Sequence, residues 1–174
     1  MAEANRQQTA TGAAAEQIQQ HLTFMLGGEV FAIGILAIKE IIEYTTPTEV
    51  PMMPAYVRGV INLRGAVVPV ADMSVRFGRK ASGVTKRTCI VIVEIAADSE
   101  RQDVGLVVDA VNEVVDIPAS DIEPPPTFGA RIRTEFIRGM GKVNGKLVML
   151  LDVHQMLALE DLVPPSVTVE APAA

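Results

Sequence analysis

The feature that most constrains this chain is that it matches itself. Tyr56-Val-Arg-Gly59 returns as Phe136-Ile-Arg-Gly139, 80 residues later, and the register carries on to Met73 and Val153. Gly65 falls on Gly145, Val68 on Val148 and Asp72 on Asp152. Upstream, Ile33 to Glu43 matches Leu106 to Asp116 at a spacing of 73, with Glu40 on Glu113. Apolar alternation makes any two β segments look alike, but Arg-Gly, Gly and Asp are not strand-formers, and their recurrence calls for shared backbone geometry. Each half is therefore expected to contain a strand, a Gly-containing turn, an apolar strand and an Asp capping a helical turn.

The remaining apolar residues come in short β-branched runs punctuated by Gly and Pro: TFML, EVFAI, VINL, AVVPV, CIVIVEI, DVGLVV, VVDI and KLVMLL. These read as strands. Helical turns are expected only at Met73–Phe77 and Val153–Leu159. In Ile35–Glu43 the isoleucines at 35, 38 and 42 have helical spacing, whereas adjacent Ile41 and Ile42 favour a strand, so the segment divides between turn and strand. The fold class is all-β, built from small barrels, and 49% hydrophobic residues are enough to fill their core. The folded unit covers 21–162. Residues 1–20 are rich in Ala, Gln and Thr, with neither a basic start nor an apolar h-region, and are expected to be a flexible leader. Residues 163–174, rich in Pro and Ala, form a flexible tail. Gly78–Arg87 connects the halves, and Arg101–Asp103 is expected to be a polar turn. No apolar run approaches the roughly 18 residues of a membrane span.

The chemical inventory is thin. Fifteen Lys and Arg against 21 Asp and Glu give a net charge of −6, and aromatics make up only 4%, which argues against nucleic acid as a partner. The single cysteine, Cys89, forms no intramolecular disulfide and suits a reducing cytoplasm; within CIVIVEI it reads as a small core hydrophobe. His21 borders the leader. His154 follows Asp152 at two residues, a pair better read as a helix cap and a surface imidazole than as metal ligands. No glycine pattern of a phosphate-binding loop is present. The expectation is a protein without catalysis, metal or nucleotide. What stands out is Arg64, presented by Gly65 between two apolar strands. It is either a solvated hairpin arginine or a rigid five-donor anchor for a partner. Pro69 removes a ladder donor from its strand and places that strand at an edge or bulge, where another chain could pair.

At these residues the chain resembles the CheW family of chemotaxis coupling proteins. The family pattern R/K-G-x-x-N-L-R-G-x-V-x-P-V-x-D-L stands here as Arg58-Gly-Val-Ile-Asn-Leu-Arg-Gly-Ala-Val-Val-Pro-Val-Ala-Asp-Met73, followed by Ser74-Val-Arg-Phe-Gly78. FMLGGEVFAIGILAIKEII is similar to the family's first strands, GLVVDAVNEVV to its second half and TEFIRGMGKVNGKLVMLLDV to its last hairpin. His21 departs from the family's usual apolar or aromatic residue. The resemblance implies two intertwined, SH3-like five-stranded barrels on a shared core, acting as a cytoplasmic adaptor without catalysis or cofactor. Its partners would be the cytoplasmic tip of methyl-accepting chemoreceptors and the regulatory domain of the histidine kinase CheA. It would reach membrane receptor arrays through them, without inserting in the membrane. Carried over by position, the receptor groove would involve Ile38, Glu40, Gly59, Asn62, Leu63, Arg64, Val104 and Val111. Ile38, Leu63 and Val104 would form an apolar slot, with Glu40 and Arg64 as its charged determinants. The alternatives are a paralogous coupler serving pili or another output and a ligand-binding small barrel. The latter would need polar groups converging on a pocket, which the strands do not offer. A free-standing kinase regulatory domain or a receiver fusion is not expected, since no further domain is evident on either side.

Overall fold

The computed structural model describes residues 17–81, 83–97, 100–125 and 134–157. In chain order these form β1 (Ile18–Leu26), β2 (Glu29–Gly34), a 3-10 turn (Ile35–Ala37), β3 (Ile38–Glu43), β4 (Val57–Leu63), β5 (Ala66–Asp72) and the helical turn α1 (Met73–Arg76). The second half gives β6 (Cys89–Ala97), β7 (Glu100–Val108), β8 (Ala110–Pro118), a 3-10 turn (Ala119–Asp121), β9 (Ile122–Glu123), a 3-10 turn (Thr134–Phe136), β10 (Ile137–Val143), β11 (Lys146–Leu151) and α2 (Val153–Met156).

The strands make two sheets, ordered β3-β6-β7-β5-β4 and β8-β1-β2-β11-β10-β9. Each half therefore lends its first hairpin to the other: β1 and β2 complete the second sheet, and β6 and β7 complete the first. The splices are equivalent parallel pairings, β5 with β7 and β11 with β2. The second sheet gains a sixth strand from two-residue β9; the matching place in the first half is a single bridge, Thr48 to Val60.

Repeat positions carry equivalent geometry. Arg64-Gly65 and Asn144-Gly145 are two-residue hairpin turns with φ of 52° and 86°, and of 52° and 78°. Positive φ at both central residues defines the I′ turn that matches strand twist. Asp72 accepts hydrogen bonds from the Ser74 and Val75 amides, and Asp152 from those of His154 and Gln155, so both aspartates cap their helical turns as expected. The recurrent Arg-Gly marks something other than a turn. Gly59 and Gly139 sit at matching bulges in β4 and β10. A Cβ on Gly59 would lie 2.1 Å from the Thr48 carbonyl oxygen, and one on Gly139 would lie 2.9 Å from that of Glu123. Glycine is required there because the backbone of the same half crosses directly over it.

One apolar cluster runs through both halves and includes Phe24, Phe31, Met73, Phe77, Val93, Leu106, Phe136 and Met156. Smaller clusters fill the individual barrels, with Ile61, Val68, Val70, Ile90, Ile92 and Val107 in the first and Ala32, Ile117, Val148 and Leu150 in the second. Where the halves meet, the Arg76 guanidinium lies over the Tyr56 and Phe136 rings at 5.0 and 4.7 Å, and Arg76 Nε donates to the Met156 carbonyl. Tyr56 and Phe136 are repeat mates, as are Arg76 and Met156, so this contact lies on the pseudo-two-fold of the molecule.

Several expectations are corrected. Strand β1 starts at Ile18, inside the expected leader, because Ile18, Gln19 and Gln20 find partners in Pro118, Ile117 and Asp116 of β8. His21 is consequently a buried strand residue. Arg101–Asp103 is no turn but part of β7, paired to β6 through Ala96, Ile95 and Glu94. Strand β5 is not an edge: it lies between β4 and β7. Pro69 is tolerated because it stands opposite Val60 in the pairing that alternates out from the hairpin turn. Its nitrogen therefore points away from β4, and the β7 ladder begins only at Val70. Cys89 is half-buried, its Sγ donating to the Arg87 carbonyl, beside the shared core. The expected leader over 1–16, the tail over 163–174 and the end of the Val153–Leu159 turn lie outside the described residues.

Candidate interaction site at the barrel mouth

The I′ turn fixes the site. Asn62 Oδ1 accepts from the Gly65 amide at 2.9 Å, holding the turn closed from its own strand. Arg64, its side chain 77% exposed, is projected from the left-handed position, and its Nη1 donates to Glu40 Oε2 at 2.5 Å. Glu40 belongs to β3 and Arg64 follows β4, the two outer strands of the first sheet, so the ion pair closes that sheet into a barrel across its mouth. Beneath it Leu63 and Ile42 pack on the barrel interior. Ile38, two residues before Glu40 but across a bulge in β3, turns to the other face and packs against the core shared by the halves.

The structure brings Glu40, Leu63, Arg64 and Asn62 together. It separates other expected groove residues. Gly59 is buried under Thr48, and Val104, with no exposed surface, belongs to the core, so neither is presented at the surface. Val104 comes from the second half of the chain but stands in the first sheet, on β7. Val111 lies on β8 in the second sheet and is the repeat mate of Ile38; like Ile38 it is half-buried against the shared core.

Sequence reasoning missed a buried brace at the other end of this hairpin. Arg58 donates from Nε to Asp72 Oδ2 at 2.9 Å, with Nη2 2.7 Å from the same oxygen, and from Nη1 to the Tyr44 hydroxyl at 3.1 Å. Asp72 Oδ1 meanwhile caps α1. One fully buried carboxylate thus ties β4, the end of β5, α1 and, through Tyr44, the segment after β3. The available signal was the hairpin register, which sets Val57 against Ala71 and so brings their neighbours Arg58 and Asp72 close. On the outer face, Lys39 bridges Asp103 and Glu94, and its pKa is raised chiefly by the hydrogen bond to Asp103. Among the described residues no three His, Cys, Asp or Glu side chains cluster as metal ligands, and no helix is long and apolar enough to cross a membrane. His154 is exposed and its neighbour Asp152 is engaged as a cap.

Two interlocked small barrels, whose polar and apolar groups meet at an open barrel mouth, define a binding module. The chain belongs to the CheW-like family: the family model described as a CheW-like domain matches residues 20–161. A chemotaxis protein CheW of Rhizobium meliloti (strain 1021) is 36% identical over 140 residues, covering 80% of this chain and 88% of that protein. One from Helicobacter pylori (strain ATCC 700392 / 26695) is 36% identical over 143 residues, covering 82% and 83%. The crystal structure of the scaffolding protein TtCheW from Thermoanaerobacter tengcongensis superposes with a TM-score of 0.73 at 34% identity, covering 82% of this chain and 89% of that one. The all-β, two-barrel architecture expected from the repeat is the architecture found.

Proposed function

We propose that this protein is a non-catalytic chemotaxis coupling adaptor that bridges the cytoplasmic tip of a chemoreceptor and the regulatory domain of a CheA-type kinase. The observation that carries this reading is a barrel mouth built for contact within a family-wide match. A left-handed turn, held closed by Asn62, projects Arg64 out of the protein beside Glu40, with half-buried Leu63 alongside. Arg64, Glu40, Asn62 and Leu63 contact the receptor directly, and Ile38 and Val111 provide apolar surface from the edge strands. Gly59 and Val104 act by holding the shape of the groove. The site of action is the cytoplasmic side of receptor arrays.

Titration of the wild type and Arg64→Ala against a receptor-tip fragment and a kinase regulatory domain tests the assignment. A guanidinium anchoring an interface costs about 2 kcal/mol or more when truncated, roughly thirtyfold in affinity, whereas a rim charge costs about 0–1 kcal/mol that salt removes. The expected result is a large loss for the receptor fragment and little change for the kinase domain. Equal receptor affinity, or equal loss for both partners, refutes the assignment.

A further inference from the structure

The internal repeat gives the second barrel an equivalent mouth, and the two differ in one informative way. Glu113 on β8 is the mate of Glu40, Val143 of Leu63, and Asn144-Gly145 of Arg64-Gly65. In the first barrel Arg64 reaches back and neutralises Glu40 within the chain. In the second the arginine is replaced by Asn144, and the mouth stays open as a 420 Å³ cleft walled by Val30, Met140, Val143, Leu147 and Met149, with Glu113 on its rim. Leu147 is 55% exposed, an uncovered apolar anchor in the wall.

The backbone of Glu113 is fixed: its carbonyl accepts from Thr23 Oγ1 at 2.9 Å, and its amide meets the same oxygen at 3.2 Å, across the bulge in the β1–β8 pairing. Its carboxylate has no hydrogen bond or ion pair among the described residues. Nearby cations leave it so. Arg79 is committed to Glu29 and Lys142 to Glu123, and Lys146 at the rim makes no ion pair with it. Val111, two residues before Glu113 and across that bulge, packs against the shared core, and it is the expected groove residue that mirrors Ile38.

We propose that this cleft is the second lobe of the receptor groove, and that Glu113 accepts a Lys or Arg side chain supplied by the receptor helix, whose neighbouring apolar residue enters between Val143 and Leu147. The cation that the first barrel provides in cis is provided in trans at the second. This rests on the adaptor reading above. A carboxylate held rigidly beside an apolar slot selects for a basic residue one helical turn from an apolar one, the pattern in which an amphipathic helix presents its anchors.

The test uses the full chain and a receptor-tip fragment, with the kinase regulatory domain as a control partner, by calorimetric titration at two salt concentrations. Glu113→Gln is expected to weaken receptor binding about tenfold at low salt, less at high salt, and to leave kinase binding unchanged. Asn144→Arg recreates the cis pair at a turn whose mate already holds an arginine at the same φ, and is expected to lower receptor affinity by closing the lobe. The double variant Glu113→Gln/Asn144→Arg is expected to bind no more weakly than Asn144→Arg alone. If Arg64→Ala loses the receptor while both lobe-two variants bind as wild type, the second lobe is refuted and the adaptor reading stands. If wild type binds no receptor fragment at all, the adaptor reading itself fails. Thermal melting of each variant against wild type identifies any loss due to misfolding, and Glu113→Asp, which keeps the charge, is expected to retain most of the affinity. Equal weakening by Glu113→Asp and Glu113→Gln overturns the charge-recognition argument.

Discussion

Arg64 occupies a position that its side chain does not favour. With φ of 52° it sits in the left-handed region, where Asn and Gly are at ease and a long side chain carries a cost. The mate of this residue is Asn144, the preferred choice for the turn, so the chain itself contains the relaxed version. Arg64→Asn should therefore fold at least as stably as the wild type: relief of backbone strain, up to about 1 kcal/mol, offsets an exposed ion pair worth about 0–1 kcal/mol. Urea unfolding checks this, and a loss of 2 kcal/mol or more would show that the Glu40 pair holds the barrel closed. Stability retained together with receptor binding lost would mark Arg64 as kept for contact. His21 gives a second residue-level prediction. Burial pushes its pKa below the ordinary 6.5, a shift opposed by its contact with the Gln19 carbonyl and reinforced by the Arg138 charge. The unfolded chain then binds a proton that the folded chain resists, so stability is level above about pH 7 and falls as the pH drops through 6.5. His21→Leu should flatten that part of the profile, and an unchanged slope in urea titrations between pH 7.5 and 5.5 would remove His21 as its source.

The glycines separate two kinds of constraint among the elements. Gly65 and Gly145 have positive φ but open space where a Cβ would go, so a valine there meets backbone strain alone. Gly65→Val and Gly145→Val should each lose about 1–3 kcal/mol, by similar amounts, in urea unfolding. Gly59→Ala adds a Cβ against the Thr48 carbonyl to an unfavourable φ, and should cost more than either valine despite its smaller side chain. Equal costs at Gly59 and Gly65 would argue against the backbone crossing. These elements also show what the sequence could convey. All eight apolar runs are strands, and both capping aspartates were legible, because periodicity and capping are local properties. The interior placement of β5 was not, since Pro69 reports a missing donor without saying on which side of the strand it falls. Nor was the burial of Val104, because the continuous run Val104–Val108 reads the same whichever face of the strand is covered. The exposed tip of Arg64 followed from its Gly65 neighbour, but its ion pair with Glu40 needed the closure of β3 toward β4.

On the scale of the molecule, exchange of hairpins means that neither barrel is complete in one half of the sequence, so the halves should unfold together. Their junction has one polar fastening on the pseudo-two-fold among the contacts described, Arg76, between the rings of Tyr56 and Phe136 and hydrogen-bonded to the Met156 carbonyl. Its repeat mate is methionine, which makes Arg76→Met an internal control: the variant keeps an unbranched apolar stem of the kind that the fold already accepts at 156. What it loses is the guanidinium, with two cation–π contacts of about 0.5–2 kcal/mol each and a charge-assisted hydrogen bond of about 1.5–3 kcal/mol. Part of that is recovered because methionine buries readily against aromatic rings. The net expectation is a destabilisation of about 1–3 kcal/mol with a single cooperative transition, since the shared core and the two parallel splices still join the halves. Urea unfolding followed by tyrosine fluorescence and by far-ultraviolet circular dichroism decides the matter. Coincident midpoints shifted to lower urea support the junction as a fastening within one cooperative unit. Two separated transitions would mean that Arg76 alone couples the barrels, and an unshifted midpoint that it fastens nothing.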